Sequence, residues 1–199
     1  MKIKPSDSTQ WYLENGDNTY RVNYDLNNES IIVDLGARHG DWSDLIRNKY
    51  SSKIFCFEVV EEFCNQLKNK GYNTFCLAVS DKKEKIKLGV FESEASIYYN
   101  NSDFECDSIF ASEIFELIGS DIIDLMKINV EGAEYPILNE LISSKKINKI
   151  NNIQVQFHLF DGKENNEYSE LVDKLSETHE LTWRFPFVWE NWTLKKQLL

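Results

Sequence analysis

The stretch Asp124-Leu-Met-Lys-Ile-Asn-Val-Glu-Gly-Ala-Glu-Tyr135 decides the fold. An apolar run stops at Asn129, passes Glu131 and Gly132, and enters a helix that opens with Pro136. Proline fits a first helical turn because no N–H bond is lost there. Strand, polar tip, glycine turn and helix form the unit that open α/β sheets use to face ligands, outside the carboxyl ends of their strands. Ile31-Ile-Val-Asp-Leu-Gly-Ala-Arg-His-Gly40 repeats the same design upstream.

Between and after these runs, strand and helix patterns alternate. Strands are expected at 31–35, 53–58, 73–79, 122–129 and 153–158, with one or two more across the aromatic stretch 181–194. Helices are expected at 41–50, through Phe63, Cys64 and Leu67 to a stop at Gly71, at 108–118, after Pro136, and through Tyr168, Leu171, Val172 and Leu175. Ile86, Leu88 and Val90 alternate as an edge strand would, and 92–106 reads as an acidic, aromatic loop of the kind that covers a ligand site. Such alternation implies a mostly parallel sheet with helices on both faces. Residues 1–30, polar and turn-rich, read as an N-terminal lead-in to a single domain spanning 31–199.

The 199 residues suffice for one domain with a sizeable core. A net charge of -11 opposes a nucleic-acid partner, because phosphate binding needs a basic face. Cys56, Cys64, Cys76 and Cys106 make no C-x-x-C pair and no zinc spacing, so they read as structural thiols in a reducing compartment. No apolar run reaches the ~18 residues of a membrane span, and the N-terminus lacks a secretory h-region. The expectation is a cytoplasmic protein.

The first turn carries Asp34, Gly36 and Gly40. Glycines let the backbone approach a ligand closely, and the next helix turns its amides toward it. Arg38 stands where a nicotinamide-binding G-x-G-x-x-G turn needs its second glycine, so a dinucleotide fits poorly. An acid two places before the glycine suits a cofactor that presents an ammonium. Glu58 ends the second strand, about twenty residues on, where a carboxylate can accept ribose hydroxyls. Its bland alternative is a helix-start glutamate that, with Glu61 and Glu62, opposes the helix dipole. Ala78, Val79 and Ser80 are small enough to flank an adenine.

Taken in order, Val33–Gly40, Phe57-Glu58, Ala78-Val79-Ser80-Asp81 and Asp124–Glu134 resemble the FkbM family of S-adenosylmethionine-dependent methyltransferases. The resemblance implies a class I methyltransferase fold: a Rossmann-like three-layer α/β sandwich around a seven-stranded, mostly parallel sheet of order 3-2-1-4-5-7-6, its last strand antiparallel. It also implies methyl transfer to oxygen, often a hydroxyl of a sugar, glycan precursor or natural product. S-adenosylmethionine would then rest on Asp34, Gly36, Ala37, Arg38, Gly40 and Ser43 at the first turn. Glu58 and Val59 would meet it at the second strand tip, Ala78 and Val79 at the third, and Asn129 at the fourth.

One position departs from the family, which usually has aspartate where this chain has Asn129. An amide accepts a hydrogen bond but cannot act as a base. Glu131 and His158 are the available substitutes, and His158 suits removal of a hydroxyl proton. It shares a polar stripe with Gln154 and Gln156, which hints at a cleft on a strand covered on both sides. His39 reads as a backbone-positioning or cleft residue, and His179 as surface. Lys127 would either steer an anionic acceptor or pair with an acid. Glu131, Glu134 and Asp161 make no recognised metal cage, so no metal is expected. The aromatic C-terminus (Trp183, Phe185, Phe187, Trp189, Trp192) reads as edge-strand core and a homodimer contact before it reads as a sugar-stacking surface. Two rivals remain: a non-catalytic protein that binds S-adenosylmethionine, favoured by Asn129, and a nicotinamide oxidoreductase, opposed by the glycine pattern.

Overall fold

The computed structural model describes residues 7–91, 94–96, 104–158 and 164–196. After helix α1 (Asp7–Leu13) come β1 (Ile31–Leu35), α2 (Asp41–Tyr50), β2 (Lys53–Phe57), α3 (Glu61–Asn69) and β3 (Asn73–Phe75). Four strands follow: β4 (Ala78–Ser80), β5 (Lys85–Phe91), β6 (Glu94–Ser96) and β7 (Phe104–Phe110). The chain ends with α4 (Ile114–Ile118), β8 (Leu125–Ile128), α5 (Glu134–Ser143), β9 (Asn152–Val155), α6 (Glu164–Thr178), β10 (His179–Phe185) and β11 (Trp189–Leu194).

Seven strands form the main sheet in the spatial order β3-β2-β1-β8-β9-β11-β10. Counted among themselves along the chain, they stand 3-2-1-4-5-7-6. The sheet is mixed: β3, β2, β1, β8 and β9 pair in parallel, whereas β11 runs antiparallel to both of its neighbours. A second sheet, β4-β7-β5-β6, was not expected from the sequence. The run 73–79, expected as one strand, breaks after Phe75: β3 stays in the main sheet and β4 pairs in parallel with β7. The helix expected over 108–118 begins late for the same reason. Ser108–Phe110 complete β7, and the Ser108 hydroxyl donates to the Lys82 carbonyl at 2.8 Å and accepts the Glu84 N–H at 3.0 Å, locking the strand in place. Of the expected loop 92–106, residues 94–96 and 104–106 are strand, and 92–93 and 97–103 lie outside the described residues.

Alternation along the strands divides the core. Val33, Leu35, Met126, Ile128, Ile153 and Val155 point to the face covered by α4, α5 and α6, in one apolar cluster with Ile114, Leu138, Leu141 and Leu171. Ile32, Ile54, Cys56 and Leu125 point the other way, against Trp42 and Ile46 of α2 and Leu67 of α3.

The second face also carries a row of polar residues in register across the sheet, Asp34, Lys127, Gln154 and Asn191. All four are buried. The stripe expected to line a cleft at Gln154 is instead the seat of the N-terminal segment. Arg21 Nε donates to Gln154 Oε1 at 3.1 Å, and Gln154 Nε2 donates to the Arg21 carbonyl at 3.0 Å and to Tyr24 Oη at 2.7 Å. Tyr24 in turn donates to Asn191 Oδ1 at 3.0 Å. Buried polar groups are tolerated when each finds a partner, and here the partners come from residues 21–24. The guanidinium of Arg21 lies 3.9 Å from the Trp189 ring centre, and Trp11 packs edge-on against Phe185 at 5.1 Å. The C-terminal aromatics Trp183, Phe185 and Trp189 therefore form a core with Trp11 and Tyr20.

Two further expectations are corrected. Cys64 and Cys76 form a disulfide with Cα atoms 5.9 Å apart, because α3 folds back along β3 and brings together residues with no motif spacing. Cys56 and Cys106 are free thiols, pushed up to about 12 and about 11 respectively, chiefly by burial. His179, expected at the surface, is fully buried, with Nε2 3.0 Å from the Ile150 carbonyl.

Burial lowers the His179 pKa from 6.5. The unfolded chain therefore binds its proton first as pH falls. The stabilisation from a neutral His179 is complete above about pH 6.5 and declines below it, until the folded histidine also protonates. Urea unfolding at several pH values should show a shallower loss of stability between pH 7 and 5 in His179→Gln than in the parent. Parallel curves would contradict the assignment.

Candidate functional site

The carboxyl ends of β1, β2 and β8 meet the start of β4 around a cavity of about 390 Å³. That volume lies within the range of small-molecule sites, roughly 300–1,000 Å³. Its floor is a close crossing of two turns. Gly36, at φ +73°, lies so near the Asn129 carbonyl that an added Cβ would sit 1.9 Å from that oxygen. Only glycine accepts both the left-handed backbone and this approach.

Lys127 secures the crossing from beneath. Its ammonium lies 2.9 Å from Asp34 Oδ1 and donates to the Gly36 carbonyl at 2.8 Å, with both side chains almost fully buried. The Asp34 carboxylate also accepts the Ser43 hydroxyl at 2.7 Å. Asp34 and Ser43, expected to meet a cofactor, are instead turned into the sheet's polar row, away from the cavity. The reason is the period of two: Asp34 follows Ile32 to the α2 face, whereas Val33 and Leu35 take the other. Lys127 thus pairs with an acid and is not placed to steer an acceptor.

Glu58, also buried, stands at the tip of β2 in the cavity wall. Its Oε2 accepts the Arg38 N–H at 2.7 Å, and its Oε1 accepts the N–H groups of Val59 and Val60 at 2.9 and 3.0 Å. Arg38 reaches this position with a left-handed backbone, φ +51°. Left-handed non-glycine residues persist where surroundings enforce them, and such places cluster at functional sites. The first turn and the second strand tip are thereby tied through one carboxylate, which on oxygen lone-pair count keeps capacity for a further donor.

Of the expected cofactor residues, Gly36, Arg38, Glu58, Val59, Ala78, Val79 and Asn129 line the cavity, while Asp34, Ala37, Gly40 and Ser43 do not. Gly40 is a packing glycine: a Cβ there would meet Leu67 at 2.7 Å. His39 bonds Gln66 through Nδ1 at 2.8 Å and stacks edge-on against Phe63, outside the cavity lining. The sequence reading missed the wall contributed by the second sheet, including Ile86 and Leu88. Asn129 Oδ1 is buried and, among the described residues, has no hydrogen-bond partner. An orphaned acceptor of this kind costs about 1–3 kcal/mol, which a ligand N–H would relieve.

Beside Asn129, residues 130–134 fold around a carboxylate. Glu134, fully buried, accepts the N–H groups of Val130 and Gly132 at 3.0 Å each and bonds His158 Nδ1 at 2.9 Å. Glu131 lines the cavity with φ +52° and brings its Oε2 to 3.4 Å from His158 Nε2. Tyr135 Oη donates to the His158 carbonyl at 3.2 Å. Of the three residues expected to act together, Asn129 and Glu131 line the cavity, whereas His158 stands outside its lining and contacts Glu131. Asp161 lies outside the described residues. Among the described residues, no group of three His, Cys, Asp or Glu is arranged to hold a metal ion.

Residues 92–182 match the family model described as Methyltransferase FkbM domain. No curated protein matches the sequence. A solved structure of a candidate methyltransferase from Streptococcus mutans, in complex with SAH, superposes with a TM-score of 0.55 at 12% identity, over 98% of this chain and 100% of that one. An rRNA methylase from Streptococcus thermophilus superposes with a TM-score of 0.50, also at 12% identity and over 98% and 100% of the two chains. At these identities the likeness is one of fold.

Gly36→Ala should lower unfolding stability by at least about 1–3 kcal/mol, from backbone strain and the clash with Asn129 combined. Gly71→Ala is the control, since its Cβ would meet nothing within 4 Å although its φ is also positive. Denaturant midpoints measure both. Equal effects would mean that the crossing with Asn129 adds nothing beyond the left-handed backbone.

Proposed function

We propose that the protein is an S-adenosylmethionine-dependent methyltransferase that methylates a hydroxyl oxygen of a sugar, glycan precursor or natural product. The observation that carries this reading is the convergence of Gly36, Glu58 and Asn129 on one cavity. Three features fit the cofactor: a glycine floor with no room for a side chain, a carboxylate at the β2 tip, and an amide oxygen at the β8 tip without a partner among the described residues. The family match over residues 92–182 points the same way.

When bound, S-adenosylmethionine supplies a methyl group on a positively charged sulfur, so that the leaving group departs neutral. Glu58 accepts a ribose hydroxyl, with its orientation fixed by the amides of Arg38, Val59 and Val60. Ala78 and Val79 offer a small apolar edge to the adenine, and Asn129 Oδ1 accepts an N–H. Holding the acceptor oxygen in line is the larger part of the acceleration, an effect that reaches roughly 7–11 kcal/mol in well-oriented systems. His158, beside the cavity-lining Glu131, removes the hydroxyl proton. Ile86 and Leu88 give the acceptor side an apolar wall. The net charge of -11 favours a small acceptor over a nucleic acid.

Calorimetry should detect adenosylhomocysteine binding to the parent and roughly 10- to 100-fold weaker binding to Glu58→Gln, the loss expected for a charge-assisted hydrogen bond. Unchanged affinity would remove Glu58 from the ribose role. With labelled cofactor and a panel of hydroxylated sugars, His158→Ala should transfer methyl about 10²–10⁴-fold more slowly than the parent while binding adenosylhomocysteine equally well. Binding by the parent without transfer to any acceptor would favour a non-catalytic role.

A further inference from the structure

We infer that Cys64 and Cys76 are a redox-responsive pair that sets cofactor affinity: as a disulfide they clamp the ribose and adenine walls of the cavity together, and a small dithiol that reduces them loosens both. This rests on the proposed cofactor site at Glu58, Ala78 and Val79. It adds a separate claim about what holds those walls and what releases them.

Each sulfur belongs to one wall. Cys64 lies near the start of α3, and its Sγ is 3.3 Å from the Glu58 carbonyl. Cys76 follows Phe75, whose carbonyl accepts the Glu58 N–H at 3.1 Å. The backbone of Glu58 is therefore bracketed by the two linked cysteines, whose Cα atoms are 5.9 Å apart. Cys76 and Leu77 belong to neither sheet, since β3 ends at Phe75 and β4 starts at Ala78. The cross-link thus fastens the point where the chain leaves one sheet for the other, directly before the cavity-lining Leu77, Ala78 and Val79. A restraint that holds a loop in its binding arrangement raises affinity by cutting the cost of ordering it.

The pair is open to exchange from one side. Cys64 is fully buried and Cys76 is half-buried, so an incoming thiolate meets the Cys76 sulfur first. A bond forms between the dithiol and Cys76 as the Cys64–Cys76 bond breaks, and Cys64 leaves as a thiolate that takes up a proton. The dithiol's second sulfur, having lost its own proton, then closes on the first, and Cys76 leaves in the same way. The dithiol is oxidised to a cyclic disulfide, and two electrons and two protons pass to the cysteine pair. Reduced Cys64 finds an acceptor for its new S–H in the Glu58 carbonyl, so the opened state is paired as well. Cys56 and Cys106 do not compete as attacking groups. Burial pushes them up to about 12 and about 11 and keeps them protonated near neutral pH.

The test uses the full chain, with adenosylhomocysteine as the probe and no acceptor. Calorimetry on air-oxidised protein and on protein kept in dithiothreitol should give at least about tenfold tighter binding in the oxidised state, the gain of a preorganised site. By linkage the ligand must then make the pair harder to reduce to the same degree. In dithiothreitol redox buffers the midpoint should therefore lie at least about 30 mV lower with saturating ligand than without, the equivalent of tenfold for two electrons. Cys64→Ser/Cys76→Ser should bind like the reduced parent and ignore dithiothreitol, whereas Cys106→Ser should keep the full response. Equal affinity in the two states would overturn the inference, as would alkylation of both Cys64 and Cys76 in the air-oxidised protein. A double variant that binds as tightly as the oxidised parent would do the same. Failure of both states to bind adenosylhomocysteine is a different result, which removes the proposed methyltransferase function and this inference with it.

Discussion

The structure depends on one close approach, that of Gly36 to the carbonyl of Asn129. The two motifs that stand far apart in the chain, the turn after β1 and the turn after β8, touch there without a side chain between them. Lys127 holds the contact from below through the Gly36 carbonyl and Asp34, and Glu58 holds it from the side through the Arg38 amide. Cofactor and acceptor are proposed to lie in the cavity above this floor, so any change that opens it should disturb both.

A second constraint is the buried polar row Asp34–Lys127–Gln154–Asn191. A buried ion pair is weak evidence of stability, because desolvation offsets most of its attraction. Its value here is geometric. Lys127 can reach Gly36 only because Asp34 compensates its charge, and the remainder of the row is satisfied by Arg21 and Tyr24 from the N-terminal segment. That segment completes the α2 face over β9 and β11, where the described helices leave the sheet uncovered, and the aromatic C-terminus packs on it through Trp11 and Tyr20.

Much of this was legible in the sequence because it is local. An apolar run ending in Asp-Leu-Gly or Ile-Asn-Val-Glu-Gly marks a strand tip and a turn, and alternation identifies the strands that follow. What was not legible depends on partners distant in the chain. Gln154 looks like a cleft residue until Arg21, 133 positions away, is placed against it. Cys64 and Cys76 carry no motif, and their pairing follows from the packing of α3 along β3. The break after Phe75 has no glycine or proline to announce it, so two strands of different sheets read as one. Asp34 had a usable signal, its parity with Ile32, which assigns it to the α2 face. Glu134 had one as well: an acid directly before an apolar helix and four residues from Val130 is placed to cap its own turn. The orphaned oxygen of Asn129, by contrast, is visible only in three dimensions.

Crystals grown with adenosylhomocysteine give the most direct measurement of the central claim. Density for the nucleoside should lie across the tips of β1, β2 and β8, with the ribose hydroxyls within hydrogen-bonding distance of Glu58 and a ligand nitrogen against Asn129 Oδ1. An empty crevice, or a nucleoside bound elsewhere with Glu58 still turned only to its three amides, would contradict the account.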